Sequence, residues 1–158
     1  MMDNNHLFIE AVRSGNLSTV KQHLSKYPEA VNQKNAQGFT PLILAAYYDQ
    51  LPVVAYLIEQ GADISAVDAS GNTALMGACF KGYEQLVSQL IALGADVNVR
   101  NVQGATALIY ACMFDKQAIA QLLLEHGADA SIKDTQGNTA LDHAKAKGLK
   151  WGEELLQV

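Results

Sequence analysis

Gly38-Phe39-Thr40-Pro41-Leu42 returns as Gly71-Asn72-Thr73-Ala74-Leu75, as Gly104-Ala105-Thr106-Ala107-Leu108 and as Gly137-Asn138-Thr139-Ala140-Leu141, at a constant spacing of 33 residues. A second phrase keeps the same interval: Gly61-Ala62-Asp63, Gly94-Ala95-Asp96 and Gly127-Ala128-Asp129 each fall 23 residues after the glycine that opens their unit. A fixed period of this length describes one supersecondary unit said several times, in which each unit buries its apolar face on its neighbours. Length then counts repeats rather than domains, and 158 residues are taken up by five units, the outer two irregular.

Each regular unit opens on a polar turn, Asn35-Ala36-Gln37-Gly38, Asp68-Ala69-Ser70-Gly71 or Asn101-Val102-Gln103-Gly104. Asn or Asp three residues ahead of Gly is a β-turn signature, because the side chain bonds back to its own backbone. The threonine two residues after the glycine starts a first helix: its hydroxyl caps free amide groups, and Pro41 at the next place lacks the N–H that would go unpaired there. Inside that helix lie the small pairs Ala45-Ala46, Ala78-Cys79 and Ala111-Cys112, which let neighbouring helices approach closely. Asp49, Gly82, Asp115 and Gly148 mark a tight turn between antiparallel helices, since Gly takes the left-handed conformation freely and Asp tolerates it. The second helix repeats one apolar face, Val53, Val54, Leu57 and Ile58, then Leu86, Val87, Leu90 and Ile91, then Ile119, Ala120, Leu123 and Leu124. Gly61, Gly94 and Gly127 stop it.

The combination of period, Gly-x-Thr-Pro/Ala-Leu, a small pair and a closing Gly-Ala-Asp resembles the ankyrin repeat. The resemblance implies an all-α repeat solenoid of helix-turn-helix units joined by β-hairpin-like loops. It divides the single ankyrin-repeat domain, residues 1–158, into an N-terminal cap repeat at 1–34, central repeats at 35–67, 68–100 and 101–133, and a C-terminal cap repeat at 134–158. The first unit lacks an opening hairpin. Asp3 or Asn4 is placed to cap its first helix, Leu7, Phe8, Ala11 and Val12 form its apolar stripe, and Val20 and Leu24 face inward from its second. The last unit has Ala144-Lys145 where a small pair stood and a short second helix from Lys150 to Gln157. Ends that depart from the pattern have the character of caps, with one face toward water, so a complete array is the expectation. The family's usual histidine after Thr-Pro-Leu is replaced by Ile43, Met76, Ile109 and Asp142, so its threonine–histidine contact is not expected here.

In a solenoid the repeated residues hold the stack, and information about partners sits where the sequence stops repeating. The resemblance implies a partner surface on the concave face, made from hairpin tips and first helices. Carried over from each unit's glycine, that surface takes in 26 positions, which hold Arg13, Lys34, Lys81, Arg100, Lys133 and Lys147, six of the chain's 11 Lys and Arg, and none of its 16 Asp and Glu. An even scatter would give roughly two basic and two or three acidic residues, so a chain of net charge −5 is expected to carry a basic inner face. The ends of the first helices add Tyr47, Phe80 and Met113 in one column, and Tyr48 and Phe114 on either side of Lys81 in the next. Apolar side chains at surface positions of successive units merge into a patch, and Tyr, Phe and Met anchors with a basic rim have the make-up of a binding hot spot. Phe39 and Arg100 stand beside them, completing the candidate set.

No catalytic, metal or cofactor site is expected. His6, His23, His126 and His143 fall at unrelated places in their units, and Cys79 and Cys112 occupy core positions as free thiols. Asp142-His143 has no nucleophile in a recognisable setting, and neighbouring helical residues do not face each other. No phosphate-binding or dinucleotide glycine pattern occurs. The chain has no run of about 18 apolar residues, and Met1 to His6 has neither a basic start nor an apolar signal core, so no membrane span and a cytoplasmic location are expected. The expected function is non-enzymatic: a module, monomeric unless it associates through its own apolar strip, that binds an acidic or apolar segment of another protein and acts as scaffold, adaptor or inhibitor. The alternative is an anionic polymer such as nucleic acid on the basic face, against which the pI near 5.2 argues.

Overall fold

The computed structural model describes residues 4–157. Among these, ten α-helices form five antiparallel pairs: α1 (Asn4–Ser14) with α2 (Leu17–Lys26), α3 (Pro41–Tyr47) with α4 (Leu51–Glu59), α5 (Ala74–Lys81) with α6 (Glu84–Ala92), α7 (Ala107–Met113) with α8 (Gln117–Glu125), and α9 (Ala140–Ala146) with α10 (Lys150–Leu156). A 3-10 helix, Pro28–Asn32, follows α2, and no strand occurs among the described residues. The expected all-α repeat solenoid is the fold observed.

Local chemistry sets where each first helix begins. The hydroxyls of Thr40, Thr73, Thr106 and Thr139 accept the N–H of Ile43, Met76, Ile109 and Asp142, each at 3.2 Å. In the last unit Asp142 answers by accepting the Thr139 N–H at 2.9 Å, which closes a capping box. The threonine hydroxyl is therefore occupied by its own helix. Of the two expected caps of α1, Asn4 is the first residue of the helix and Asp3 lies outside the described residues. The turns between paired helices are left-handed where expected, including Asp49 and Asp115 at φ 56° and 55°.

First helices stack directly on one another, α1 on α3, α3 on α5, α5 on α7 and α7 on α9, while α2, α4, α6, α8 and α10 back them as a second layer. The core runs the length of the stack as one apolar seam, with Leu42, Leu75, Leu108, Leu57, Leu90 and Leu123 at 1% exposure or less. Burying each such leucine contributes about 1.5–3 kcal/mol. Leu7 departs from the expected stripe: at 46% exposed it lies on the outer surface of α1, while Phe8, Ala11 and Val12 point inward. The first unit has no predecessor, so α1 needs only the face that meets α2 and α3.

The loops that join the pairs are hairpin-like. Each Asn or Asp at the turn accepts two backbone N–H groups through one oxygen, as Asn35 does from Gln37 and Phe39 at 3.0 Å. Successive loops dock by backbone bonds, Val102 N–H to Ser70 O at 3.1 Å and Thr135 N–H to Gln103 O at 2.9 Å. That approach explains Gly71: a Cβ there would sit 3.0 Å from the Val102 nitrogen, and its φ of +78° disfavours any side chain.

Candidate functional site

Above this scaffold, α3, α5 and α7 end in side chains that the stack leaves exposed. Tyr47 is 43%, Phe80 42%, Tyr48 39% and Phe114 36% exposed. They form two ring clusters along one strip. Phe80 meets Phe114 edge-on at 4.7 Å between centroids, Phe114 meets Tyr110 at 5.8 Å, and Tyr47 meets Tyr48 at 5.5 Å. Edge-to-face contacts hold the rings in place without hiding their faces.

Phe39, Tyr47, Phe80 and Phe114 line one groove of about 260 Å³, together with Ile43, Asp68, Asn72, Thr73, Ala74, Gly77 and Tyr110. The other candidate residues sit around it. The Lys81 ammonium lies 4.3 Å from the centre of the Tyr47 ring, and the Arg13 guanidinium, ion-paired with Glu10 at 2.9 Å, lies 5.0 Å from that of Tyr48. Met113 is half-buried against the core. Arg100 lies in the loop beyond the groove, where its Nη2 donates to the Lys133 carbonyl at 2.8 Å and its Nε to the Gly104 carbonyl at 3.3 Å. Lys34 makes a similar link between earlier loops, donating to the Val67 carbonyl at 3.3 Å. Two of the six basic residues expected on the partner surface, Lys34 and Arg100, therefore tie successive loops together, a role that spacing alone did not reveal.

Sequence reasoning also missed the polar end of the groove. Asn101, 8% exposed, accepts the Gln103 and Ala105 N–H groups through Oδ1 and donates through Nδ2 to Asn72 Oδ1 and to the Tyr110 hydroxyl, both at 2.9 Å. Tyr110 donates in turn to Asn72 Oδ1 at 3.2 Å. The signal lay in one column six residues after each unit's glycine, Leu44, Gly77, Tyr110 and His143, whose members share no chemistry.

Chemistry elsewhere is sparse. Cys79 and Cys112 are free and buried, and burial pushes both thiols up, Cys112 to about 12. His143 Nε2 meets Asp134 Oδ2 at 2.8 Å. Backbone hydrogen bonding from Asn138 comes first, and the bond to His143 next, in holding the Asp134 carboxyl below the usual range. Among the described residues no group of three or more His, Cys, Asp or Glu is arranged to hold a metal ion, and no helix is long and apolar enough to cross a membrane.

A stack of capped helix pairs with docked hairpin loops defines a repeat solenoid. The family model for ankyrin repeats in three copies matches residues 8–101 and 84–157, and the chain belongs to the ankyrin-repeat family. Among curated proteins it is 43% identical over 58 residues to ankyrin repeat and SAM domain-containing protein 6 of Rattus norvegicus, which is 37% of this chain and 7% of that protein. It is 40% identical over 65 residues to human ankyrin repeat domain-containing protein 49, 41% of this chain and 27% of that one. It is also 43% identical over 49 residues to the human DNA-binding protein RFXANK, 31% of this chain and 19% of that one. The matches thus span about a quarter or less of each relative's length. Ankyrin repeats are general protein–protein interaction modules, and what they share with this chain is the repeat.

Proposed function

We propose that this protein is a non-enzymatic binding module that holds a segment of another protein along the strip formed by Tyr47, Tyr48, Phe80 and Phe114, with Phe39, Lys81, Met113 and Arg100 beside it. The observation that carries the reading is the strip: large rings from three successive repeats stand about 36–43% exposed, in contact as the pairs Tyr47–Tyr48 and Phe80–Phe114, and Tyr47, Phe80 and Phe114 line one groove. Exposed rings side by side keep apolar surface in water, and a partner that covers them gains what folding left unused. The surface is preformed on stacked helices, so docking orders little of this chain. Lys81 and Arg13, each held over a tyrosine, place positive charge at the strip's edge, where it speeds encounter with a segment bearing acidic residues. Sequestering, scaffolding or inhibiting that partner all follow from the same contact, and a cytoplasmic setting suits the two free thiols.

An anionic polymer is the second reading, motivated by the basic inner face and by a relative whose name describes it as DNA-binding. The commitment of Lys34 and Arg100 to loop carbonyls and the chain's net charge of −5 weigh against it.

Affinity capture from a lysate of the source cell tests the proposal, using the wild type beside a Tyr47→Ala, Phe80→Ala, Phe114→Ala variant whose folding is checked by circular dichroism. The expected result is a protein retained by the wild type and lost by the variant. Equal capture by both chains, or capture abolished by nuclease, would remove the strip from consideration.

A further inference from the structure

The three hairpin-bearing units from Asp68 onward begin with a side chain that faces the column six residues after the glycine, and two of them fill the space between. In one, Asn101 meets the Tyr110 hydroxyl at 2.9 Å; in the next, Asp134 meets His143 at 2.8 Å. An amide is matched with a neutral hydroxyl, and a carboxylate with a ring that can carry a proton. The remaining unit has Asp68 with Gly77 opposite, and glycine offers no side chain. Asp68 Oδ1 is held by the Ser70 and Asn72 N–H groups at 2.9 Å, which fixes the carboxylate, while its second oxygen has no hydrogen-bond or ion-pair partner among the described residues. Both Asp68 and Gly77 line the groove whose walls are aromatic. A Cβ built on Gly77 meets nothing within 4 Å, so the space is open down to the backbone of α5.

We propose that the gap above Gly77 is a socket for one cationic side chain, an arginine or lysine, of the partner protein, its charge set against Asp68 and its stem lying between Tyr47, Phe80 and Phe114. This rests on the reading of the strip as the binding surface and names the anchor that the strip receives. The volume of about 260 Å³ lies just under the roughly 300–1,000 Å³ of small-molecule sites and suits one long side chain rather than a whole ligand. Aromatic walls favour a cation through their ring faces and cover its methylene stem, and the free carboxylate oxygen is an acceptor for its donors. An acidic or wholly apolar anchor would leave Asp68 repelled or desolvated without compensation. Lys81 and Arg13 at the rim repel further positive charge, so the fitting segment carries a single basic residue with acidic or apolar neighbours.

The test is selection of a displayed library of random peptides on the full chain, with counter-selection on the Gly77→Leu variant. Leucine stands at the matching place as Leu44, and Asp68→Asn copies Asn35 and Asn101, so both variants are residues this fold already accommodates. Surviving peptides are expected to share one Arg or Lys. Replacing it by its neutral isostere, citrulline or norleucine, or replacing Asp68 by Asn, is expected to weaken binding about tenfold or more. Survivors that need Tyr47, Phe80 and Phe114 yet share an acidic or apolar anchor, or that ignore Asp68→Asn, overturn the socket and leave the strip standing. Binding of every strip-dependent peptide to the Gly77→Leu variant would overturn the socket in the same way. Binders indifferent to all three aromatic substitutions overturn both readings. A dimer seen by sedimentation for the wild type and lost in Gly77→Leu would give the socket to a second copy of the chain and overturn the proposal.

Discussion

At the scale of single residues, the site is most distinctive where a side chain is missing. Glycine inside a helix costs about 0.5–1 kcal/mol relative to alanine, because the unfolded chain loses more freedom and the helix gains no packing. Gly71 has a structural reason to be glycine, in its positive φ and the Val102 backbone that approaches it. Gly77 has neither, since it lies within α5 at a helical φ with open space at its Cβ. Gly77→Ala is therefore expected to stabilise the protein by about 0.5–1 kcal/mol, read as a raised midpoint in urea unfolding with an unchanged slope. A loss of stability would mean that the groove closes on substitution and that the geometry of α5 depends on the glycine. The sequence displayed this position without explaining it. A column reading Leu, Gly, Tyr and His is visibly irregular, but which groups converge on it depends on the loop of the same unit folding back over its first helix.

Elements were more legible than their contacts. Threonine after each glycine and Asp or Gly at each helix end located the first helices to within a residue or two, because capping and left-handed turns are local chemistry that repeats with the period. The pattern is weakest in the first unit, and its outward Leu7 shows the limit: periodicity reveals a helical face but not which part of that face has a neighbour. What α1 and α2 share instead is the stacking of His23 on Phe8, at 4.3 Å between centroids and 13° between planes. Desolvation in this contact lowers the affinity of His23 for its proton, and nearby Glu29 acts in the opposite sense. A histidine whose folded pKa lies below its ordinary value near 6.5 supports folding fully above that value, and the support is lost as pH falls toward the folded pKa. Amide exchange in α2 is thus expected to speed up relative to α6 as pH drops from about 7 to about 5, after correction for intrinsic rates. His23→Gln should flatten the difference. A difference that persists in that variant would assign the pH response to another group.

At the scale of the whole molecule, stability is a sum of unit and junction contributions, and the junctions differ in a way the period conceals. Between the first loop and the second, Asn32 accepts the Asp63 N–H at 2.8 Å and donates to the Gly61 carbonyl at 3.1 Å. Between the third and the fourth, Asn98 repeats this with Asp129 at 2.8 Å and Gly127 at 3.2 Å, and Arg100 reaches the Lys133 carbonyl. The middle junction has Ser65 and Val67 at the matching places, side chains too short or too apolar to cross, and it is held instead by the backbone bond from Val102 to Ser70 and by Asn72, which accepts from Asn101 Nδ2 at 2.9 Å and from the Tyr110 hydroxyl at 3.2 Å. The helix pairs on its two sides both contribute to the groove, so the asparagine rung that Asn32 and Asn98 supply elsewhere is missing beneath the proposed binding surface. Ser65→Asn is expected to add the missing pair of bonds to Asp96 N–H and the Gly94 carbonyl and to raise stability by about 1 kcal/mol, since each such bond is worth about 0.5–1.5 kcal/mol net of its desolvation and ordering. Thermal unfolding should show a higher midpoint, and native-state exchange should slow in α6 more than in α2, because only units that share the new junction gain from it. A rise spread evenly over all five units would mean that the array already unfolds as one cooperative block, with no weak seam at its middle. No rise at all would mean that the loops at this junction stand too far apart for an asparagine to bridge, and the unevenness of the stack would then lie in its geometry rather than in its side chains.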